Sequence, residues 1–296
     1  MKQRAIALWN RLWFTPEYAI NLRACRVILA LQALWVVLSR PAIPSLTTWP
    51  RAFFPPDVRL EYLRYGISHG HPQIEWLLWI LLHVTLVSIV AGFWPRLTCA
   101  TAGILLYHFA PFEEIIVGMP HTHFGGLTVP MLGFLILSFA EQPQREIATS
   151  GEYRWPLALI QLLFAFTYLF AFFAKLRYSG ILWFTGPTIR EFLITGWGVT
   201  HSRWALLVAA RPWMCWTMAI ATLIFEPMFL VAVFSRRARR ILIPVAVIFH
   251  IGNDLLLDII FPSAALLLLF VNWHWVTERI ARLRRSGPRR WRSLPA

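Results

Sequence analysis

Charged side chains are scarce in this chain: 14% of 296 residues, where a soluble domain carries about 25%. Lysine is scarcest, two residues (Lys2 and Lys175) against 26 arginines. The three cysteines, Cys25, Cys99 and Cys215, sit at the edges of or inside apolar runs with no C-x-x-C. That excludes both a disulfide framework and a thiol-redox pair. No P-loop, G-x-G-x-x-G or G-x-S-x-G is present, so nucleotide-binding and serine-hydrolase readings have no support. Internal repeats and low-complexity tracts are missing, and no paired half-sequences suggest an inverted-repeat transporter. The N-terminus is basic but lacks an apolar core with a small-residue cleavage site, so no removable signal peptide is expected.

What the chain has in excess is hydrocarbon. Hydrophobic residues make up 58% and mean hydropathy is +0.57. Sixteen tryptophans suit the aromatic belts at bilayer interfaces. The formal charge of +14 comes from arginines clustered at the ends of apolar runs. There they serve membrane topology; no nucleic-acid partner is expected. The expected fold class is all-α, a polytopic integral membrane helix bundle forming a single domain over 1–296.

A span needs about 20 mainly apolar residues. Eight are expected, at roughly 24–40, 73–94, 97–111, 121–140, 155–175, 212–234, 241–260 and 262–277. In the leader, 1–23, residues Ile6, Trp9 and Trp13 share one stripe of an interfacial amphipathic helix over 5–14. Arginine counts put three segments in the cytoplasm: the leader, the run Arg236-Arg237-Ala238-Arg239-Arg240, and the basic tail 278–296. Both termini are then cytoplasmic, and segments 41–72 and 176–211 face outward.

The ionisable residues within this hydrocarbon are functional-site candidates. Lys175 closes the uncharged run Trp155 to Ala174. Gln161, Tyr168 and Lys175 are each seven apart, nearly two turns, and stack on one stripe. That stripe suits a polar pocket; the alternative is a lysine snorkelling to the headgroups. His250, Asn253, Asp254 and Leu257 follow i, i+3, i+4, i+7 spacing, so a carboxylate or amide can reach the imidazole. Alternatively they only link helices, at about 0.6 kcal/mol each. Glu226, followed by Pro227, must be neutral or paired; Arg26 and Arg96 are candidate partners. His69-Gly70-His71 and His121-Thr122-His123 offer four imidazoles to a divalent metal. Spacing i, i+2 does not share a helical face, however, and loop histidines with local hydrogen bonds are the alternative; no metal site is assigned. Gly125-Gly126 signals close packing.

Four stretches together resemble the horizontally transferred transmembrane (HTTM) family, which includes the membrane domain of vitamin K-dependent gamma-carboxylase. They are WFTPEYAINLRACRVILA at the first span, PHTHFGGL, YLFAFFAKLRYSGILWFTG and FHIGNDLLL. The resemblance covers essentially the whole chain and rests on the order and spacing of degenerate motifs. It implies catalytic roles for Lys175, His123 and His250, with Tyr168, Trp183 and Asn253 around the cofactor, to which the helical stripe of seven-residue spacing adds Gln161. The implied cofactor is a reduced quinone such as menaquinone or vitamin K, in a multi-pass protein of the bacterial inner membrane. Family chemistry has an uncharged amine deprotonate the reduced quinone, which reacts with oxygen and yields a base for a glutamate γ-proton. The family's lumenal domain has no counterpart here, so the resemblance implies quinone chemistry without recognition of a protein glutamate. A non-catalytic membrane partner, maturation or immunity-type protein on the same scaffold is the other reading.

Overall fold

The computed structural model describes residues 2–39, 43–46, 72–117, 126–142 and 148–285. Helix α1 (Lys2–Trp13) precedes a two-residue strand, β1 (Glu17–Tyr18). Helix α2 (Ala19–Leu38) follows, then the single turn α3 (Ile43–Leu46), α4 (Pro72–Ala91), α5 (Pro95–Val117) and α6 (Thr128–Phe139). Strand β2 (Thr149–Ser150) pairs antiparallel with β1, Glu17 opposite Ser150 and Tyr18 opposite Thr149. This pairing ties the leader to the start of α7 (Arg154–Tyr178). Pro156 lies in the first turn of α7, where its missing N–H costs nothing.

Helix α4 shows how such a sequence packs. Trp79, Leu82, Leu86 and Ile89 are buried, whereas Leu77, Ile80, Val84 and Val87 on the other face are exposed. Both faces are apolar. A lipid-facing helix has that character, because hydrocarbon solvates leucine and valine as well as a protein core does.

The second half begins with α8 (Ile181–Phe184), α9 (Pro187–Thr200) and α10 (Arg203–Ala209). Helix α11 (Pro212–Met228) starts with proline at its first position, where the fixed φ is already helical, and lies bent 97° from α10. The turn α12 (Val231–Phe234) leads into α13 (Arg236–Leu257), whose start is capped by Ser235 Oγ accepting from Ala238 N at 3.2 Å. Asp258, with φ 53°, ends α13 in the left-handed region. The chain closes with a 3₁₀ helix (Pro262–Phe270) and α14 (Trp273–Arg285).

The protein is thus an all-α, multi-span membrane helix bundle. Among the described residues four segments are long and apolar enough to cross: Ala19–Leu38, Pro72–Ala91, Gly151–Tyr178 and Arg236–Leu257. The bent pair α10–α11 makes a fifth if counted as one span. The span expected at 262–277 is corrected: nine 3₁₀ residues rise about 2.0 Å each, roughly 18 Å of the ~30 Å core, and α14 is a separate polar helix. A new helix starts there because Asn21 Oδ1 accepts from Trp273 N (2.8 Å) and His274 N (3.2 Å). The segment nonetheless carries the chain back through the bundle. Phe261 packs on His250 near the C-terminal end of α13, while His274 stacks on Tyr18 at 3.6 Å where α2 begins. Leu266, Leu267, Leu269 and Phe270 are buried along the way. Non-α backbone is tolerated at membrane depth when protein surrounds it. The span expected at 212–234 is interrupted between Met228 and Val231. Segment 176–211, expected to face outward, forms the end of α7 and the helices α8, α9 and α10.

Two apolar cores result. The larger joins α2, α4, α5, α6, α7, the 3₁₀ helix and the α11–α13 region. A smaller one joins Ile189 and Leu193 of α9 with Ala205, Val208 and Ala209 of α10 and Cys215 and Ala219 of α11.

Candidate functional site in the inter-core cavity

A cavity of about 820 Å³ opens between the two cores, lined from α7, α9, α11, α13 and the 3₁₀ helix. That falls in the range of about 300–1,000 Å³ typical of small-molecule sites. Its wall is mostly apolar, with Phe164, Phe225, Ile189, Leu193 and Leu266 among the lining residues. Into this wall the fold sets Tyr168, Lys175, Trp183, Glu226, His250 and Asn253.

Lys175 Nζ lies 2.5 Å from Glu226 Oε1. This corrects the expected partners of Glu226: Arg26 Nη1 instead donates to Gln142 Oε1 at 2.7 Å, and Arg96 is exposed. The carboxylate is the deeper partner, its side chain 2% exposed against 18% for the lysine. Helix α11 brings Glu226 in one turn beyond Thr222, which also lines the cavity, and α7 supplies Lys175 in its last turn. Ammonium with carboxylate and amine with carboxylic acid are both net neutral, which lowers the cost of holding the pair in hydrocarbon. Nζ also lies 5.2 Å from the centroid of the Trp183 ring, a cation–π distance.

Tyr168 Oη and His250 Nε2 are 2.7 Å apart and share a hydrogen bond whose donor follows the imidazole tautomer. Phe164, Phe225 and Phe229 surround the phenol at 4.3–5.4 Å between ring centroids. The imidazole's partner is therefore Tyr168; Asp254, the neighbour expected from spacing, is exposed. Asn253 sits one turn beyond His250 on the cavity side of α13.

Four buried polar atoms on these residues have no partner among the described residues: Glu226 Oε2, His250 Nδ1, Asn253 Nδ2 and Trp183 Nε1. A buried polar atom left without a partner costs about 1–3 kcal/mol. Such groups are rare in native interiors and call for an explanation.

Five of the residues singled out from sequence (Lys175, His250, Tyr168, Trp183 and Asn253) thus line one cavity. Gln161 does not. It is buried two turns deeper, and its Nε2 donates to Leu269 O at 2.7 Å. That carbonyl lies in the last turn of the 3₁₀ helix, which leaves acceptors unpaired, so Gln161 fastens the return segment. His123 and His121 lie outside the described residues, as do His69 and His71. Gly126, three residues after His123, lines the cavity, and a Cβ there would meet Gln32 Nε2 and Val36 at 2.9 Å. Gln32 Nε2 donates to the Gly126 carbonyl. Among the described residues no cluster of three or more His, Cys, Asp or Glu side chains is gathered for a metal.

The sequence reading missed the contribution of α9. Ile189, Phe192 and Leu193 line the cavity at i, i+3, i+4 spacing, a helical signal within a segment expected only to face outward. It also missed Glu75, buried on α4 and 2.7 Å from His108 Nε2 on α5. Compared with protein-family models, curated proteins and solved structures, the chain matches none of them.

Proposed function

We propose that this multi-pass membrane protein is an HTTM-type enzyme whose inter-core cavity takes a reduced quinone or a lipid with a comparable head. One observation carries the reading: Lys175, Glu226, Tyr168, His250, Asn253 and Trp183 meet in a largely apolar cavity, with four polar atoms left unpartnered. A hydroquinone suits that lining. Trp183 and Asn253 would hold its oxygens through their side-chain N–H groups, Glu226 would accept from a hydroxyl, and the aromatic wall would take the ring. Menaquinol and vitamin K hydroquinone are the forms to try. When bound, such a molecule supplies the electrons that reduce oxygen to water while the ring becomes an epoxide. Lys175 and Glu226 together hold and return the hydroxyl proton. Tyr168 and His250 fix the ring's orientation.

The same reading places the chain in the bacterial inner membrane, both termini cytoplasmic and the cavity facing outward. In support, the leader, Arg236 to Arg240 and α14 gather at one end of the bundle, and Lys175 lies at the other end of α7.

The test is purified protein with menaquinol or vitamin K hydroquinone and oxygen, followed by binding and epoxide formation. Loss of both in Lys175→Ala and in Lys175→Arg is the expected result. If neither binding nor epoxide appears in the wild type, the enzymatic reading fails. The ion pair itself favours a second reading, a non-catalytic membrane partner, maturation or immunity-type protein in which Lys175 is structural. Lys175→Arg then keeps function, because charge alone suffices.

A further inference from the structure

At the opposite end of the bundle lies a second concentration of charge, remote from the cavity. Arg154 opens α7, and Arg236 and Arg239 stand one turn apart at the start of α13. The three guanidinium groups are close enough to feel each other's charge, with Glu17 of β1 as their carboxylate neighbour. Glu17 is only a partial counter-ion. Its Oε2 lies 3.7 Å from Arg154 Nη1, while Oε1 accepts from Asn21 Nδ2 (2.7 Å) and Tyr18 N (3.1 Å). Of the other described carboxylates near this end, Glu152, two residues before Arg154, is exposed, and two more are committed elsewhere. Glu141 accepts from Ser150 Oγ at 3.3 Å, and Glu278 lies 3.3 Å from His274 and 3.4 Å from Arg282.

The guanidinium groups are also underused. Arg239 donates from Nε to Ala232 O (3.1 Å) and from Nη2 to Val233 O (3.3 Å), and its plane lies 5.3 Å from the Phe270 ring. Those contacts lock its orientation and leave Nη1 uncommitted among the described contacts. The Arg154 side chain is 15% exposed. Among the described residues, three positive charges, two of them largely withdrawn from water, thus have one carboxylate, Glu17, within ion-pair distance. Like charges so placed repel one another in a low dielectric unless an anion joins them. Guanidinium forks match phosphate oxygens bidentately, and the first turn of α13 adds its positive dipole end.

We propose that Arg154, Arg236 and Arg239 form a binding site for a phosphate group, carried either by an anionic lipid headgroup or by a free phosphate. The position, at the end of spanning helices beside the exposed Trp9 of α1, is where a phospholipid headgroup meets a bundle.

The test uses the full chain in neutral detergent. Thermal stability is followed during titration with phosphatidylglycerol, phosphatidylcholine or inorganic phosphate. Phosphatidylglycerol is expected to stabilise at lower concentration than phosphatidylcholine, and Arg154→Gln, Arg239→Gln and Arg236→Gln each weaken its apparent affinity about tenfold. Arg236 is exposed, so its variant tests the site even if Arg239→Gln fails to fold. Arg282→Gln, on the same basic end but outside the cluster, serves as control and is expected to bind as the wild type does. Stabilisation by inorganic phosphate that the same three variants lose assigns the site to free phosphate; a response to phosphatidylglycerol alone assigns it to lipid. Equal responses to all three additives, or an equal loss in Arg282→Gln, overturn the proposal.

Discussion

Removing Lys175 and removing Glu226 should not cost the same. Methionine at position 175 keeps the length of the side chain but leaves the Glu226 carboxylate, 2% exposed, without its cation. Losing one partner of a buried pair costs about 3–5 kcal/mol. The lysine's 18% exposure moves the expectation to the lower end, about 3 kcal/mol. Glu226→Leu loses a charge-assisted hydrogen bond, about 1.5 kcal/mol, but strands no deep charge. Lys175 then stands at a helix end and can extend to the headgroups. In the double variant both charges are gone, and the loss should be no larger than that of Lys175→Met alone. The cycle is read by unfolding in mixed micelles titrated with a denaturing detergent, with tryptophan fluorescence as signal. A coupling energy of about 1.5 kcal/mol or more is expected, a size common for contacting residues. If the single variants lose equal stability and their losses add in the double variant, the ion pair contributes nothing, and the account of Glu226 as the buried partner is wrong.

Other substitutions separate the cavity from the scaffold. Gln161→Leu should lower stability by about 1 kcal/mol through the lost Leu269 bond, with hydroquinone affinity unchanged in a binding titration. Asn253→Leu should do the reverse, since its Nδ2 has no partner among the described residues: affinity falls, and thermal stability holds or rises. Gly186, at φ +83°, would place a Cβ 2.9 Å from Trp216 N. Gly186→Ala should therefore cost about 1–3 kcal/mol, visible as a lowered melting temperature.

The membrane class and the long helices were legible because both rest on local pattern. A run such as Trp155 to Ala174 has no alternative to a helix in hydrocarbon, whatever surrounds it. The seven-residue spacing from Tyr168 to Lys175 likewise brought both side chains to one wall, since helical geometry carries over from sequence unchanged. Gln161 obeys the same spacing yet takes part in something else. Its surroundings are set by the return segment, 108 positions later in sequence, which periodicity on α7 cannot report. The partner of Glu226 was illegible for a similar reason. Arg26, Arg96 and Lys175 are equally plausible by charge, and only the packing of α11 on α7 selects among them. The segment 262–277 misled because hydropathy measures transfer to hydrocarbon and is blind to whether lipid or protein supplies it.

That blindness bears on why a cavity exists at all. Helix α11 belongs to both cores: Cys215 and Ala219 pack with α9 and α10, while Phe225, beside Glu226, packs with α7 and Phe229. A straight helix shared by two clusters forces them apart at the crossover, and Pro227 and the break before α12 re-aim the chain there. Pro227 has no N–H for the carbonyl of Leu223, so the helix is weakest one turn from the carboxylate it presents. Had the gap been filled with apolar side chains, the two cores would merge and gain dispersion contacts. Instead the positions around it carry an ion pair, a phenol–imidazole pair and two unpartnered donors. On the proposed function these groups serve a ligand, and the stability of Asn253→Leu, expected to hold or rise, measures what they cost the bundle.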